Sequence, residues 1–119
     1  MKWKALPILL FLAAAPRVSH ACSCRSSTLE ERFERASVVF VGTVIFTKPA
    51  FFSRSKQHAF IVHETLKGEV GNTVLVSTAQ NGAACGSTFR LGKKYKVFAS
   101  NASGNFHTWS CSGNQVVPN

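Results

Sequence analysis

Near the start of the chain, the pattern of apolar and polar positions changes from a helical period to a nearly continuous apolar run. The segment Ser27-Thr28-Leu29-Glu30-Glu31 contains overlapping capping-box patterns, with Ser27 or Thr28 as N-cap and a glutamate three residues later. Leu29, Phe33 and Ala36 then fall on one face at helical spacing, and the charged residues between them fall on the other. The pattern predicts a short amphipathic helix of about two turns.

The apolar run from Ser37 to Thr47 predicts the first of five β-strands. Gly42 lies inside this run and indicates a bulge or a sharp bend, as small barrels require. Four further runs predict strands over residues 57–67, 73–78, 95–99 and 106–111. In the second strand we expect Phe60, Val62 and Leu66 on one face and Ile61 on the other. This pattern favours a mainly β fold, a small five-stranded Greek-key barrel preceded by a short helix.

The first 21 residues have the pattern of a signal peptide. Lys2 and Lys4 are followed by an apolar region over residues 5–15, and Ser19-His20-Ala21 places small residues at positions −3 and −1. The apolar run is about half the ~20 residues that a membrane-spanning helix needs. We therefore predict a signal peptide over residues 1–21 and one small domain over residues 22–119. The protein is expected to be secreted into the extracellular space or, in a bacterium, exported to the periplasm.

Cleavage after Ala21 would make Cys22 the first residue of the mature protein, and Cys22 would then carry an α-amine. A cysteine directly after a cleavage site can also be the lipid attachment point of a bacterial lipoprotein. That type of signal usually has an aliphatic residue at position −3, where this chain has Ser19. Lipidation of Cys22 is therefore the weaker alternative.

All four cysteines, Cys22, Cys24, Cys85 and Cys111, lie after the expected cleavage site. An even number in a small exported domain predicts two disulfides. Because a bond between Cys22 and Cys24 would be strained, each is expected to pair with one of the two distant cysteines. A zinc site built from the four thiolates is the weaker alternative, since the paired C-x2-C spacing of structural zinc sites is missing.

The positive net charge and the missing catalytic motifs limit the functions that the sequence favours. The chain carries 14 Lys and Arg against five acidic residues, all Glu, and loss of residues 1–21 would leave a net charge of +6. A basic surface attracts acidic polysaccharides or anionic lipids, whereas secretion argues against a nucleic-acid partner. The chain has no Asp for a Ser-His-Asp triad, and His63-Glu64 lacks the second His of a metalloprotease helix. We expect neither an enzyme nor a resident cofactor.

Five motifs occur in a specific order and spacing: Cys22-x-Cys24, Ser37-Val-Val-Phe-Val-Gly-Thr-Val44, Ala84-Cys85-Gly86, Gly92-Lys-Lys-Tyr-Lys-Val-Phe98 and Cys111-Ser112-Gly113. Together they resemble the N-terminal inhibitory domain of the tissue inhibitors of metalloproteinases, within the wider netrin-like family. The resemblance extends over residues 22–115 and is greatest to the short, single-domain members.

The resemblance implies an OB-fold barrel in which Cys22 is bonded to Cys85 and Cys24 to Cys111. It also implies a metalloendopeptidase inhibitor. The α-amine and carbonyl oxygen of Cys22 would chelate the catalytic zinc of the target protease, and Ser23 would enter the adjacent specificity pocket. Two further contacts are implied, with Cys24 and Arg25 running along the cleft like substrate and with Ala83 and Ala84 adding a second contact edge.

The chain also departs from the vertebrate inhibitors, because it has neither their third disulfide in this domain nor their second domain, and its corresponding hairpin is short. Netrin-like modules that inhibit nothing use the same fold. The alternative function is therefore a non-inhibitory binding module for a protein partner or an acidic polysaccharide, in which Cys22 and Cys24 only fix the N-terminus to the barrel. Asn101-Ala102-Ser103 is a glycosylation sequon, which matters only in a eukaryotic secretory pathway.

Overall fold

A computed structural model describes residues 22–49, 55–80, 85–102 and 104–118. It contains one α-helix and six β-strands within these ranges. They are α1 (Leu29–Arg35), β1 (Val38–Lys48), β2 (Ser55–Lys67), β3 (Thr73–Ala79), β4 (Lys94–Ala102), β5 (Asn105–His107) and β6 (Gln115–Val116). The expected signal peptide lies outside the described residues.

The strands form a closed barrel. Neighbouring strands follow the order β1-β2-β3-β5-β4, and β4 pairs again with β1 to close the cylinder. The pairing of β3 with β5 is parallel, and the other pairings are antiparallel. This closed five-stranded barrel, with its short helix and two disulfides, confirms the predicted mainly β fold class and is consistent with an OB-type barrel.

The predicted strands are all present, with differences at the ends. The fifth is shorter than predicted, because the chain leaves the sheet after His107 and does not continue to Cys111. The two-residue strand β6 was not predicted; it pairs with β4 through Tyr95↔Val116 and Lys96↔Gln115. Gly42 lies at a register shift between β1 and β2, as predicted. A Cβ there would lie 2.8 Å from the Ile61 carbonyl oxygen, so only glycine allows the two strands to approach this closely.

Aromatic rings fill the centre of the barrel. Phe60 lies edge-to-face against Phe40 and Phe89, with ring centroids 5.4 and 5.1 Å apart, and Phe89 makes the same contact with Tyr95 at 4.9 Å. Edge-to-face pairs at this spacing place a positive ring edge on a negative ring face. Aliphatic side chains from β1, β3 and β4 complete the core: Val38, Val44, Val76, Val97 and Ala99.

Helix α1 covers a patch on the outside of the barrel. Val39 and Phe98 face outward from paired positions on β1 and β4 and are buried against Ala36 and Phe33. This cover explains why Val38, Val39 and Phe40 are all buried although successive side chains in a strand point to opposite faces. Leu29 is 46% exposed and does not belong to the buried face that the sequence pattern predicted.

The helix is fixed at both ends. Thr28 is the N-cap and forms the predicted capping box with Glu31: the Glu31 N–H donates to Thr28 Oγ1 at 3.1 Å, and the Thr28 N–H donates to Glu31 Oε1 at 2.8 Å. At the other end, Lys67 Nζ donates to the carbonyl oxygens of Phe33 and Glu34 at 2.7 and 2.9 Å. Leu66, predicted to be on the buried face of β2, is 39% exposed; it lies in the part of β2 that continues beyond its pairing with β3.

At Gly68, any side chain would clash with the neighbouring backbone. Its φ is +75°, and an added Cβ would lie 2.5 Å from the Ser37 carbonyl oxygen and 2.7 Å from Val38 Cγ1. We expect Gly68→Ala to lower the free energy of unfolding by about 3 kcal/mol, since a left-handed strain of roughly 1 kcal/mol is joined by a clash with the backbone. Urea denaturation followed by circular dichroism measures this loss.

Gly92→Ala is the matched control, because Gly92 has φ +81° but nothing within 4 Å of an added Cβ. It should cost only the conformational strain, about 1 kcal/mol. Equal losses for the two variants would contradict the close approach at Gly68.

His58 belongs to the core and was not predicted to do so. The side chain is 1% exposed, and its ring lies 5.1 Å from the Phe89 ring, edge-to-face. Its Nδ1 shares a hydrogen bond with Thr47 Oγ1 at 2.9 Å, and its Nε2 is buried with no hydrogen-bond partner among the described residues. Burial, together with the charge of Lys56, lowers the pKa of His58 to about 4.

The lowered pKa of His58 predicts acid destabilisation. The unfolded chain takes up the His58 proton near pH 6.5, whereas the folded chain takes it up only near pH 4. The stabilisation by neutral His58 is therefore complete above pH 6.5 and is lost as pH falls from 6.5 to 4, by about 3 kcal/mol. Urea denaturation at several pH values in this window measures the loss.

His58→Phe should flatten the pH dependence of stability between pH 6.5 and 4.5; His107→Gln, which removes an exposed histidine, is the matched control. If the His58→Phe variant does not fold, an NMR titration of the His58 ring in the unaltered protein gives its pKa directly. A folded-state pKa near 6.5 would contradict the prediction.

Candidate functional site

Two disulfides attach the segment before helix α1 to one end of the barrel. Cys22 is bonded to Cys85 and Cys24 to Cys111, each with 5.5 Å between the Cα atoms. The presence of two disulfides confirms the prediction from the number of cysteines, and the pairing is the one that the family resemblance implied. With all four cysteines in disulfides, the four-thiolate zinc site is ruled out. Residues 22–28 form neither helix nor strand, and the two bridges attach the beginning of this segment to the barrel.

The four predicted contact residues at the start of this segment are contiguous, and three of them are exposed. Ser23, Cys24 and Arg25 are exposed, and Cys22 is partly buried. We call residues 22–25 the N-terminal ridge. Ser23 lies between two bridged cysteines, so its backbone is fixed on both sides while its side chain remains accessible. Ala83 and Ala84, the predicted second contact edge, lie outside the described residues.

The two bridges are joined on the barrel side by backbone contacts. The Ser110 N–H donates to the Cys85 carbonyl oxygen at 2.9 Å, so the partner of Cys22 is fixed next to the partner of Cys24. Cys85 itself has φ +69°, a left-handed conformation that is uncommon for a residue with a side chain. Strain of this kind, of order 1–3 kcal/mol, is characteristic of sites whose geometry is imposed by the surrounding structure.

A network of hydrogen-bonded polar side chains connects the segments next to Cys85 and Cys111 with the barrel. This network was not predicted from the sequence. The Asn114 Nδ2 donates to Ser87 Oγ at 3.0 Å and to Thr108 Oγ1 at 2.9 Å, and the Phe98 N–H donates to Asn114 Oδ1 at 2.7 Å. Thr108 Oγ1 in turn donates to the Phe98 carbonyl oxygen at 2.7 Å, and the Ser87 N–H donates to Thr78 Oγ1 at 2.8 Å. The network therefore ties the segments after Cys85 and around Cys111 to β3 and β4.

A cleft lies beside the Cys24–Cys111 bridge, between helix α1, β4 and the turn over residues 109–112. It has a volume of about 390 Å³. The residues that line it are Arg32, Arg35, Ala36, Phe98, Ser100, Trp109, Cys111 and Ser112. Both arginines and the tryptophan come from parts of the chain that the sequence analysis did not connect.

The described part of the chain contains no group of three or more His, Cys, Asp or Glu side chains that could hold a metal ion. His63 and Glu64, examined as a fragment of a metalloprotease helix, lie in strand β2, and His63 Nε2 shares a 2.8 Å hydrogen bond with Thr43 Oγ1. No helix within the described residues is long and apolar enough to cross a membrane.

Comparison with known proteins does not assign the chain to a family. No family model matches it, and no curated protein matches it significantly. The interpretation of the ridge therefore depends on the motifs in the sequence and on the geometry described above.

Proposed function

We propose that this protein is a secreted, extracellular inhibitor of zinc metalloendopeptidases, or a periplasmic one in a bacterium. The observation that carries the proposal is the N-terminal ridge, in which exposed Ser23 is fixed between two bridged cysteines at one end of the barrel. Two disulfides are typical of a protein that folds in an oxidising compartment. A ridge that is ordered before binding loses little conformational entropy when it enters a protease cleft.

The chemistry would come from the backbone of Cys22. A chain that begins at this residue has an α-amine nitrogen and a carbonyl oxygen that are separated by two carbon atoms. The two atoms can chelate the zinc of the target enzyme. A catalytic zinc keeps an open position, normally filled by water, which the chelating pair would displace. The reference pKa of an α-amine is about 7.7–8.0, so a useful fraction is neutral and able to bind zinc at neutral pH.

The neighbouring residues would supply contacts along the cleft. Ser23 would enter the specificity pocket next to the zinc, and Cys24 and Arg25 would follow the cleft in the direction of a substrate. Ala83 and Ala84 would add a second edge beside the Cys22–Cys85 bridge. Because the serine side chain is small, it underfills a deep pocket, and we expect moderate affinity.

Measurement of inhibition constants against a panel of zinc metalloendopeptidases tests the proposal. The protein used should begin at Cys22 and contain both disulfides, as verified by intact mass. We expect competitive inhibition of at least one enzyme and no inhibition of a serine protease in the same assay. Absence of inhibition across the panel would favour the second candidate.

The second candidate function is a non-inhibitory netrin-like binding module for a protein partner or an acidic polysaccharide. The observation that favours it is the cleft beside the Cys24–Cys111 bridge, which is lined by two arginines and an exposed tryptophan. Such a module would keep its binding when the α-amine of Cys22 is blocked, whereas an inhibitor that chelates zinc would not.

A further inference from the structure

The cleft between helix α1, β4 and the turn over residues 109–112 is lined by two positively charged side chains, Arg32 and Arg35. Arg32 is held in place, because its Nε donates to Ser27 Oγ at 2.8 Å and its chain lies against Gly113, where an added Cβ would come within 3.0 Å of Arg32 Cδ. Arg35 is exposed. Among the described residues, neither guanidinium is paired with a carboxylate.

Arg35 is also not needed to cap the helix. The carbonyl oxygens of Phe33 and Glu34 accept from Lys67 Nζ, and the Arg32 carbonyl oxygen accepts from the Ala36 N–H. A basic residue in the last turn of a helix usually serves those carbonyl groups. Here that role is filled by Lys67 from β2, which leaves Arg35 available at the edge of the cleft.

Trp109 forms the opposite side of the cleft and is 44% exposed. Its position is fixed by a tight turn, in which the Trp109 N–H donates to Ser112 Oγ at 3.1 Å and the Ser112 N–H donates to the Trp109 carbonyl oxygen at 3.0 Å. The Cys24–Cys111 bridge holds the same turn. A tryptophan whose backbone is fixed in this way can offer its ring to a ligand in the cleft without a large loss of conformational freedom.

We propose that this cleft binds an acidic sugar unit, a hexuronate or a sulfated hexose, within a polysaccharide. The apolar face of the sugar ring would lie on the Trp109 indole, and its carboxylate or sulfate would accept hydrogen bonds from Arg35 and Arg32. The hydroxyls of Ser100 and Ser112 line the same cleft and can bond ring hydroxyls. An acidic side chain of a protein would use the arginines but not the indole face, so the sugar fits more of the cleft.

Tryptophan fluorescence offers a direct test. The chain has two tryptophans, Trp3 and Trp109, so protein that begins at Cys22 has Trp109 alone. Titration with trigalacturonate and with a sulfated disaccharide distinguishes the two sources of negative charge, and maltotriose serves as the neutral control. We expect a saturable change in Trp109 fluorescence with one or both acidic sugars and none with maltotriose.

Arg35→Gln should weaken binding of the acidic sugar about tenfold, because it removes a hydrogen bond to a charged group. Arg90→Gln is the matched control: it removes the same charge from another exposed arginine, which lines a separate cleft with Lys93 and Tyr95. It should leave the affinity nearly unchanged. Trp109→Leu, measured by calorimetry, should also weaken binding, and circular dichroism verifies that each variant is folded.

Three results would overturn the proposal. The first is no saturable binding of either acidic sugar. The second is equal weakening by Arg35→Gln and Arg90→Gln, which would mean attraction to the overall positive charge. The third is binding of a triglutamate peptide as tight as that of the sugars and equally sensitive to Arg35→Gln, which would assign the cleft to an acidic protein surface. None of these measurements involves a protease, so their outcome is independent of the proposed inhibition.

Discussion

Addition of one alanine before Cys22 is expected to abolish metalloendopeptidase inhibition, with the inhibition constant rising about a thousandfold or more. The added residue converts the α-amine into an amide, whose nitrogen has no lone pair available for zinc. It also places a methyl group and a further backbone unit where the zinc would lie. A thousandfold loss corresponds to about 4 kcal/mol, which is reasonable for removal of one member of a chelating pair.

The matched control is an alanine added after Asn119, which changes the length equally and leaves the N-terminal ridge unaltered. Both extended proteins should contain the two disulfides and unfold at the same temperature, since Cys22 and Cys24 remain at their positions. If the N-terminally extended protein inhibits as well as the protein that begins at Cys22, chelation through the α-amine is excluded. Acetylation of the α-amine, which adds no residue, provides a second measurement of the same effect.

Removal of the Cys24–Cys111 bridge by Cys24→Ala together with Cys111→Ala is expected to lower the free energy of unfolding by about 4–5 kcal/mol. The bridge joins residues 87 positions apart, and in the chain-entropy model a loop of that size restricts the unfolded chain by about this amount. A small domain is stable by only about 5–15 kcal/mol in total. The melting temperature should therefore fall by roughly 20 °C or more.

Denaturation by urea under non-reducing conditions measures this loss. The companion variant, Cys22→Ala with Cys85→Ala, opens a loop with a separation of 63 and should lose nearly the same amount, because the restriction depends only on the logarithm of loop length. A loss below about 1 kcal/mol for both variants would mean that the barrel is stable without its bridges and that their role is confined to the N-terminal ridge.

Local features of the structure were predictable because their causes lie close together in the sequence. The capping box at Thr28 and Glu31 requires only four consecutive residues, and the strand β1 is marked by a nearly continuous apolar run. The bulge at Gly42 follows from a glycine inside such a run. The disulfide pairing came from the family resemblance, since spacing alone left two pairings between the near and distant cysteines.

Features that depend on closure of the barrel were not predictable from one sequence. His58 lies two residues before buried Phe60 on the same face of β2, but the sequence does not show that Phe89, 31 residues later, packs against its ring. Asn114 lies in a segment without a hydrophobic period, and its partners are 6, 16 and 27 residues away. The cleft has the same origin, because Arg35 and Trp109 are distant in sequence and line one cleft only in the folded barrel.

The spacing of the two bridges also determines when the N-terminal ridge forms during biosynthesis. Residues 22–25 are made before the rest of the described domain, yet neither bridge can close until the chain has been extended to Cys85 and then to Cys111. The closing pairing of β1 with β4 joins residues about as distant, and contacts of this range form late in folding. The part of the described chain that is synthesised first is thus fixed only after most of the domain has been made, and in a reducing cytosol neither bridge would hold it.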